Sequence, residues 1–202
     1  QYKKEVSLKQ QDTSIHVIAI DGGAGTGKGT QRILLAKELG FNSLDSGVLY
    51  RALGFKAKNV IHDKASVIQI ADSLNLKMKD EKVFIDGIDQ TIAVRSDESG
   101  KLASIVAKIE EVRESFFHLQ MNFRKPPGLV ADGRDMGIIF DTPFRYFIMT
   151  DPQERARRRK LQFENMKISA DYSQILEEII RRDESDATNP IRPLRPHPEA
   201  LI

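Results

Sequence analysis

Gly22-Gly23-Ala24-Gly25-Thr26-Gly27-Lys28-Gly29-Thr30 is the stretch on which the fold turns. Its spacing, Gly, four residues, then Gly-Lys, is that of a phosphate-binding loop, which requires a strand before it and a helix after it. Both are legible. Ile15 to Ile20 (IHVIAI) is a short β-branched run that stops at Asp21, as a buried parallel strand does before a loop. From Gly29 to Leu39 the pattern predicts a helix that keeps Ile33, Leu34 and Leu35 for packing and ends at Gly40. Glycines let successive backbone N–H groups turn inward on phosphate oxygens, and the helix N-terminus adds partial positive charge. Lys28 can then bridge the outer phosphates of a nucleoside triphosphate. One detail departs from the general pattern: Gly29 follows the Lys, and the first hydroxyl, Thr30, comes one place later. The bland alternative, a glycine-rich turn without a ligand, leaves the coincidence of strand, Lys and helix unexplained.

Outward from the loop, Gly47 to Lys58 and Ser66 to Ser73 read as helices. Leu76 to Met78 and Val83 to Ile85 flank Lys79-Asp80-Glu81, and Asp86-Gly87 marks a second turn, so a small antiparallel element interrupts the α/β rhythm over about residues 62–96. Glu98 to Arg124 reads as helix in two pieces, ended by Pro126-Pro127-Gly128. Strands follow at Leu129 to Ala131 and Tyr146 to Thr150. Asp151-Pro152-Gln153-Glu154 is a well-formed helix start. Asp171 opens a last helix with an apolar stripe of Ile175, Leu176, Ile179 and Ile180, and Glu199 to Ile202 can begin one more strand. Residues 1–14 are polar and are expected to be a flexible leader or linker.

Among 202 residues, 40% are apolar, enough for one sizeable core, and 31 basic against 29 acidic residues give a net charge of only +2. No stable nucleic-acid or membrane partner is expected from that balance, and a monomer is expected. There is no Cys, which removes disulfides, thiolate zinc sites and thiol catalysis, and no segment approaches the roughly 20 apolar residues of a spanning helix. A cytoplasmic protein is the expectation. The class of phosphate-loop protein is narrowed by two absences. A guanine-reading Asn-Lys-x-Asp is missing, and the strand at 129–131 leads into Asp132-Gly133-Arg134 rather than an acidic pair. Small-molecule kinases remain.

Gly27-Lys28-Gly29-Thr30, Leu44-Asp45-Ser46-Gly47 with Tyr50-Arg51, and Ala131-Asp132-Gly133-Arg134-Asp135-Met136-Gly137 together resemble the bacterial cytidylate kinase family, from about His16 to the end of the chain. The Asp-Gly-Arg-Asp-Met-Gly stretch is the most specific piece. The resemblance implies an α/β fold: a P-loop kinase core with a parallel sheet flanked by helices (15–61, 97–154 and 184–202), a small antiparallel insert that binds the nucleoside monophosphate (about 62–96), and a short helical lid (about 155–183). It implies transfer of the γ-phosphoryl group of ATP, with Mg²⁺, to CMP or dCMP. Gly22, Gly23, Ala24, Gly25, Thr26, Gly27, Lys28, Gly29 and Thr30 then line ATP, and Thr30 is placed to reach Mg²⁺ through its hydroxyl. Use of UMP or AMP instead, or nucleotide binding without catalysis, are the alternatives.

Carried over residue by residue, the family pattern puts Ser46 and Arg51 in the acceptor site, with Arg51 and Arg134 gripping the CMP phosphate; a guanidinium fork suits that task. Ser104, Arg113 and Asp135 fall on base-reading positions. Cytosine offers an exocyclic amino donor beside two acceptors, so a carboxylate facing the donor is complementary, whereas uracil would leave two acceptors opposed at a cost of about 1 to 3 kcal/mol. Read singly, Arg113 fits a solvated helix face and Ser104 a packing position just as well. Similarity also places Arg182 and Asp186 near the CMP sugar, and the family carries a further Arg where this chain has Asn189. Asp132, at the end of a buried strand, is a candidate to hold Mg²⁺ through water or to support the acceptor phosphate, against a structural salt bridge as the competing reading. In the run Arg155, Arg157, Arg158, Arg159, helical spacing groups Arg155, Arg158 and Arg159 on one face, and these three are the candidate lid arginines that steady the migrating charge. Without interleaved aromatics the run makes a poor RNA platform.

Overall fold

The computed structural model describes residues 14–79, 81–165, 167 and 169–202; the leader expected over residues 1–14 lies, Ser14 apart, outside the described residues, as does Asp80 of the turn read at 79–81. In chain order the elements begin with β1 (Val17–Gly22), α1 (Lys28–Leu39), β2 (Asn42–Asp45) and α2 (Ser46–Lys56). Next come α3 (Lys64–Asp72), β3 (Leu76–Lys79), β4 (Lys82–Ile85), β5 (Ile88–Asp89), α4 (Thr91–Val94), α5 (Asp97–Val106) and α6 (Glu110–Met121). The chain then runs through β6 (Leu129–Gly133), α7 (Met136–Ile139), β7 (Phe144–Ile148), α8 (Pro152–Asn165) and α9 (Tyr172–Ala187). Two compact units result: one from the residues up to Ser43 together with Lys125–Ile202, the other from Leu44–Arg124.

The first unit is built on a sheet of order β2-β6-β1-β7. Central β1 runs parallel to β6, from Val17 opposite Leu129 to Asp21 opposite Gly133, and parallel to β7, from Ile18 opposite Phe144 to Gly22 opposite Ile148. Parallel register brings the carboxyl ends of the strands to one edge, where Asp21, Asp132 and Gly133 stand side by side and where α/β sheets bind ligands. The strand expected at Glu199–Ile202 is present at its first contacts: the Leu201 N–H donates to Arg145 O (2.9 Å) and the Phe147 N–H to Leu201 O (2.8 Å). Ile20, Ala36 and Val130 form a buried cluster with Ile18, Leu35, Phe41 and Ile148 packed on it.

Helix α1 corrects one expectation. Its buried row is Lys28, Arg32 and Ala36, one helical turn apart, while Ile33 and Leu34 are exposed (40% and 56%). Apolar count misled because a charged residue, Arg32, holds the inward position through an ion pair. On α9 the expected stripe narrows likewise: Ile175 is buried and Ile180 exposed. The helix starts are as read, with Asp171 accepting from Gln174 N–H (3.0 Å) and Asp151 from Gln153 N–H (2.7 Å).

In the second unit α2 and α5 cross closely at Gly54, where a Cβ would come within 2.7 Å of Leu102 Cβ. Leu49, Leu53, Val67, Val106, Val112 and Phe116 are fully buried there. The antiparallel element has the expected strands and a third, in the order β3-β4-β5. Asp86 and Gly87, both with positive φ (52° and 82°), form the two-residue turn that matches strand twist between β4 and β5. Short β5 and α4 gave no readable pattern in the sequence, since neither completes a period. Among the described residues no helix is long and apolar enough to cross a membrane.

Candidate active site

Strand β1 delivers the chain into the glycine loop at a point where a side chain has no room: Gly22 has φ 152°, and a Cβ there would lie 2.5 Å from the carbonyl oxygen of Ile148. Gly27, with φ 98°, serves as N-cap of α1, so the loop closes directly onto a helix N-terminus. Lys28 is the first residue of that helix and is buried; its Nζ donates to Gly23 O (2.9 Å), back onto the glycine loop. The Thr26 hydroxyl donates to the same carbonyl (3.0 Å), and the Thr150 hydroxyl to Thr26 O (3.2 Å), tying the loop to the end of β7. Thr30 is exposed on the outer side of the first turn of α1.

Four charged groupings stand out within the first unit, one of them against this loop. Arg155 of α8 is buried (5%); its Nη1 donates to Ala24 O (3.0 Å) and to Asp183 Oδ1 (3.0 Å), and its Nη2 donates to Asp183 Oδ2. The Nε of Arg155 is buried and meets no acceptor among the described residues. Arg134, just after β6, pairs with Asp186 of α9 (Nε to Oδ2, 2.7 Å). Arg32 pairs with Asp132 (Nε to Oδ1, 2.7 Å), both nearly inaccessible, and also donates to the Ser43 hydroxyl. Asp21, at the end of β1, accepts from the backbone N–H groups of Met136 and Gly137 (2.8 Å each), one on each carboxylate oxygen. Burial pushes the Asp21 carboxyl up to about 7; the charge of Asp135 adds to the rise, against the two backbone N–H groups and Lys28, which lower it.

The arginines expected to share a face are divided by the tertiary structure. Arg155 alone turns inward; Arg158 pairs with Glu154 in solvent (2.8 Å), and the guanidinium of Arg159 lies over the Phe163 ring, 5.1 Å from its centroid. At Asp132 the salt-bridge reading is what the geometry displays. Asp135 is buried at the N-cap position of α7, and Arg182 is half-buried on α9 one turn before Asp186. Asn189 is buried and accepts from the Ile191 and Arg192 N–H groups (3.0 Å each), so it builds the turn after α9. Asp21, Arg32 and Asp183 escaped the sequence reading. Only Asp21 carried a signal, an acidic residue closing an apolar strand.

Within the second unit the candidate acceptor residues gather on α2, α5 and α6. Ser46 is buried at the start of α2, just after Asp45, which caps the helix by accepting from Val48 N–H (3.2 Å). Arg51 Nη1 donates to Ser96 O (2.8 Å), and its guanidinium lies so close to Gly100 that a Cβ there would be 3.0 Å from Nη2. Ser104 donates its hydroxyl to Gly100 O (3.2 Å). Arg113 donates from Nε to Ala107 O (2.8 Å) with its guanidinium 5.5 Å from the centroid of the Tyr50 ring, which itself meets Phe116 edge to face. Each arginine is thus braced by a backbone carbonyl. Among the described residues no group of three or more His, Cys, Asp or Glu is arranged to hold a metal ion.

A family model described as cytidylate kinase matches residues 18–202 of the chain. The cytidylate kinase of Azotobacter vinelandii is 41% identical over 196 residues, covering 92% of this chain and 86% of that protein. That of Pseudomonas aeruginosa is 39% identical over 200 residues (94% and 87%), and that of Caldicellulosiruptor bescii 39% identical over 194 residues (92% and 86%).

Proposed function

The chain belongs to the cytidylate kinase family, and from that premise we propose how its residues move the γ-phosphoryl group of ATP onto CMP or dCMP. The observation that carries the proposal is the meeting of Lys28 and Arg155 at the glycine loop, the first on Gly23 O at 2.9 Å and the second on Ala24 O at 3.0 Å. Two buried cations on one cradle of backbone amides are suited to the phosphates of ATP.

ATP binding draws Lys28 Nζ from the Gly23 carbonyl to the β- and γ-phosphate oxygens, and the N–H groups of residues 22–30 take the rest. An acceptor phosphate oxygen then forms the new bond to the γ-phosphorus as the bond to the β–γ bridging oxygen breaks, leaving ADP and CDP or dCDP. Ser46, Arg51, Ser104 and Arg113 of the second unit are proposed to bind the acceptor, Arg51 at its phosphate and Ser104 and Arg113 at the base. From the first unit, Arg134 is proposed for the acceptor phosphate, Asp135 for the cytosine amino group, and Arg182 and Asp186 for the sugar. Residues 62–96 are proposed as the monophosphate-binding insert and 155–183 as the lid, with Arg155 the arginine already in place and Arg158 and Arg159 recruited on closure. Closure excludes water and so suppresses ATP hydrolysis.

The donor set fits a Mg²⁺ ion that enters with the nucleotide rather than one caged by protein, since no carboxylate cluster stands ready among the described residues and Asp132 Oδ1 is engaged by Arg32. The Thr30 hydroxyl and, through water, Asp132 are the residues proposed to touch it. When bound, the ion would neutralise charge on the β- and γ-oxygens. A nucleotide kinase meets its substrates in the cytoplasm, and we place the protein there.

The test is an acceptor panel with ATP and Mg²⁺. CMP or dCMP should give diphosphate fastest, and Asp135→Ala should reduce discrimination against UMP more than it weakens ATP. Faster use of AMP or UMP by the unmodified protein would overturn the base-reading assignment.

A further inference from the structure

Arg155 and Asp183 stand 28 residues apart on α8 and α9, yet they form a two-pronged pair against the glycine loop, Nη1 to Oδ1 at 3.0 Å and Nη2 to Oδ2. The Arg155 side chain is 4% exposed and that of Asp183 31%. A Cβ added at Gly23 would lie 3.3 Å from Arg155 Nη1 and 3.3 Å from Asp183 Oδ1, so the pair as a whole, and not the arginine alone, lies on the loop. Gly25 faces the aliphatic stem of the same arginine, at 3.8 to 4.0 Å. We infer that Asp183 is a positioning residue: it fixes the Arg155 guanidinium over the glycine loop before the nucleotide arrives.

The physical reason lies in the donor inventory of the side chain. An arginine has five N–H donors in a rigid fork and many rotamers. Asp183 takes one from each terminal nitrogen and the Ala24 carbonyl takes another, which sets the plane of the fork. The buried Nε–H meets no acceptor among the described residues. A guanidinium held this way needs no search when the triphosphate enters, and its remaining donors are the ones offered to phosphate oxygens. Asp183 itself touches no proposed substrate atom. Nothing in the local sequence singles out Asp183 among the acidic residues of α9.

The inference rests on the proposed role of Arg155, and a double-mutant cycle separates the two. Steady-state kinetics with ATP, Mg²⁺ and CMP are measured for the unmodified protein, Asp183→Ala, Asp183→Glu, Arg155→Ala and the Arg155→Ala/Asp183→Ala double variant, with a thermal midpoint for each. Asp183→Ala should lower kcat about 10- to 100-fold, as loss of alignment does, with KM for CMP within about twofold of the unmodified value. Asp183→Glu should recover part of kcat, and the double variant should be no slower than Arg155→Ala. A merely structural tie between α8 and α9 would lower the thermal midpoint while leaving kcat, measured well below it, unchanged; that result, or full additivity in the cycle, overturns the inference. If Arg155→Ala alone leaves kcat intact, the role of Arg155 fails and the inference falls with it.

Discussion

Arg32 and Asp132 form an ion pair in the interior of the first unit, Nε to Oδ1 at 2.7 Å, with side chains only 3% and 6% exposed. The pair joins α1 to the end of β6, so the helix carrying Lys28 is tied to the strand edge on which the reaction is proposed to occur. Arg32→Ala would take the guanidinium away from a buried carboxylate, and a loss of about 3 to 5 kcal/mol in urea unfolding is expected. Arg32→Met with Asp132→Leu should be milder in the same assay, because no charge is left alone.

Asp21 should give the protein a recognisable pH dependence. Its carboxyl is raised from 3.8 to about 7 by burial, so between those values the folded state holds a proton that the unfolded state releases. Its contribution to stability is therefore fully present below about pH 4 and is lost as pH rises through about 7. Urea midpoints measured from pH 4.5 to 7.5 should fall more steeply for the unmodified protein than for Asp21→Asn, which cannot titrate. Parallel curves would remove Asp21 as the source.

Lys28→Met should lower kcat by about 10² to 10³ or more, the usual effect of deleting a charge-stabilising donor, while the protein keeps a single cooperative unfolding transition. A rate within tenfold of the unmodified protein would take Lys28 out of the proposed mechanism.

Gly22→Ala tests the close approach of the loop to β7. A methyl group 2.5 Å from the Ile148 carbonyl oxygen, at φ 152°, must displace backbone, and a destabilisation of about 1 to 3 kcal/mol is expected. Differential scanning calorimetry would register it, together with weaker ATP binding.

Gln120 is fully buried on α6 in line with Val112 and Phe116, and among the described residues neither its amide oxygen nor its amide nitrogen has a hydrogen-bond partner. Replacing it with Met, of similar length and without polar atoms to desolvate, should stabilise the protein by about 1 to 3 kcal/mol. An unchanged or lower urea midpoint would show that the amide is satisfied in solution.

Much of the first unit was legible because its signals are local. Val17 to Gly22, the loop and α1 follow one another without a gap, and the caps at Asp151 and Asp171 act over two or three residues. Misreadings arose where burial was inferred from apolarity. Ile33 and Leu34 looked like the packing face of α1, yet Arg32 occupies it, since a hundred residues later the chain supplies Asp132 as its partner. For Arg158 and Arg159 the helical spacing alone did not show their partners, Glu154 and the Phe163 ring on the exposed side of α8.

Sequence alone determined that a phosphate loop sits between a buried strand and a helix, that an antiparallel element interrupts the α/β rhythm, and that the motif residues point to a nucleotide kinase. All of these are encoded by neighbours along the chain, through glycine freedom, helix capping and side-chain period. Tertiary structure decided the strand order, the pairing of Arg155 with Asp183, of Arg134 with Asp186 and of Arg32 with Asp132, and the burial that raises Asp21. Charge pairing and desolvation depend on distance in space, and no pattern of local spacing contains the crossing of the strands that sets it.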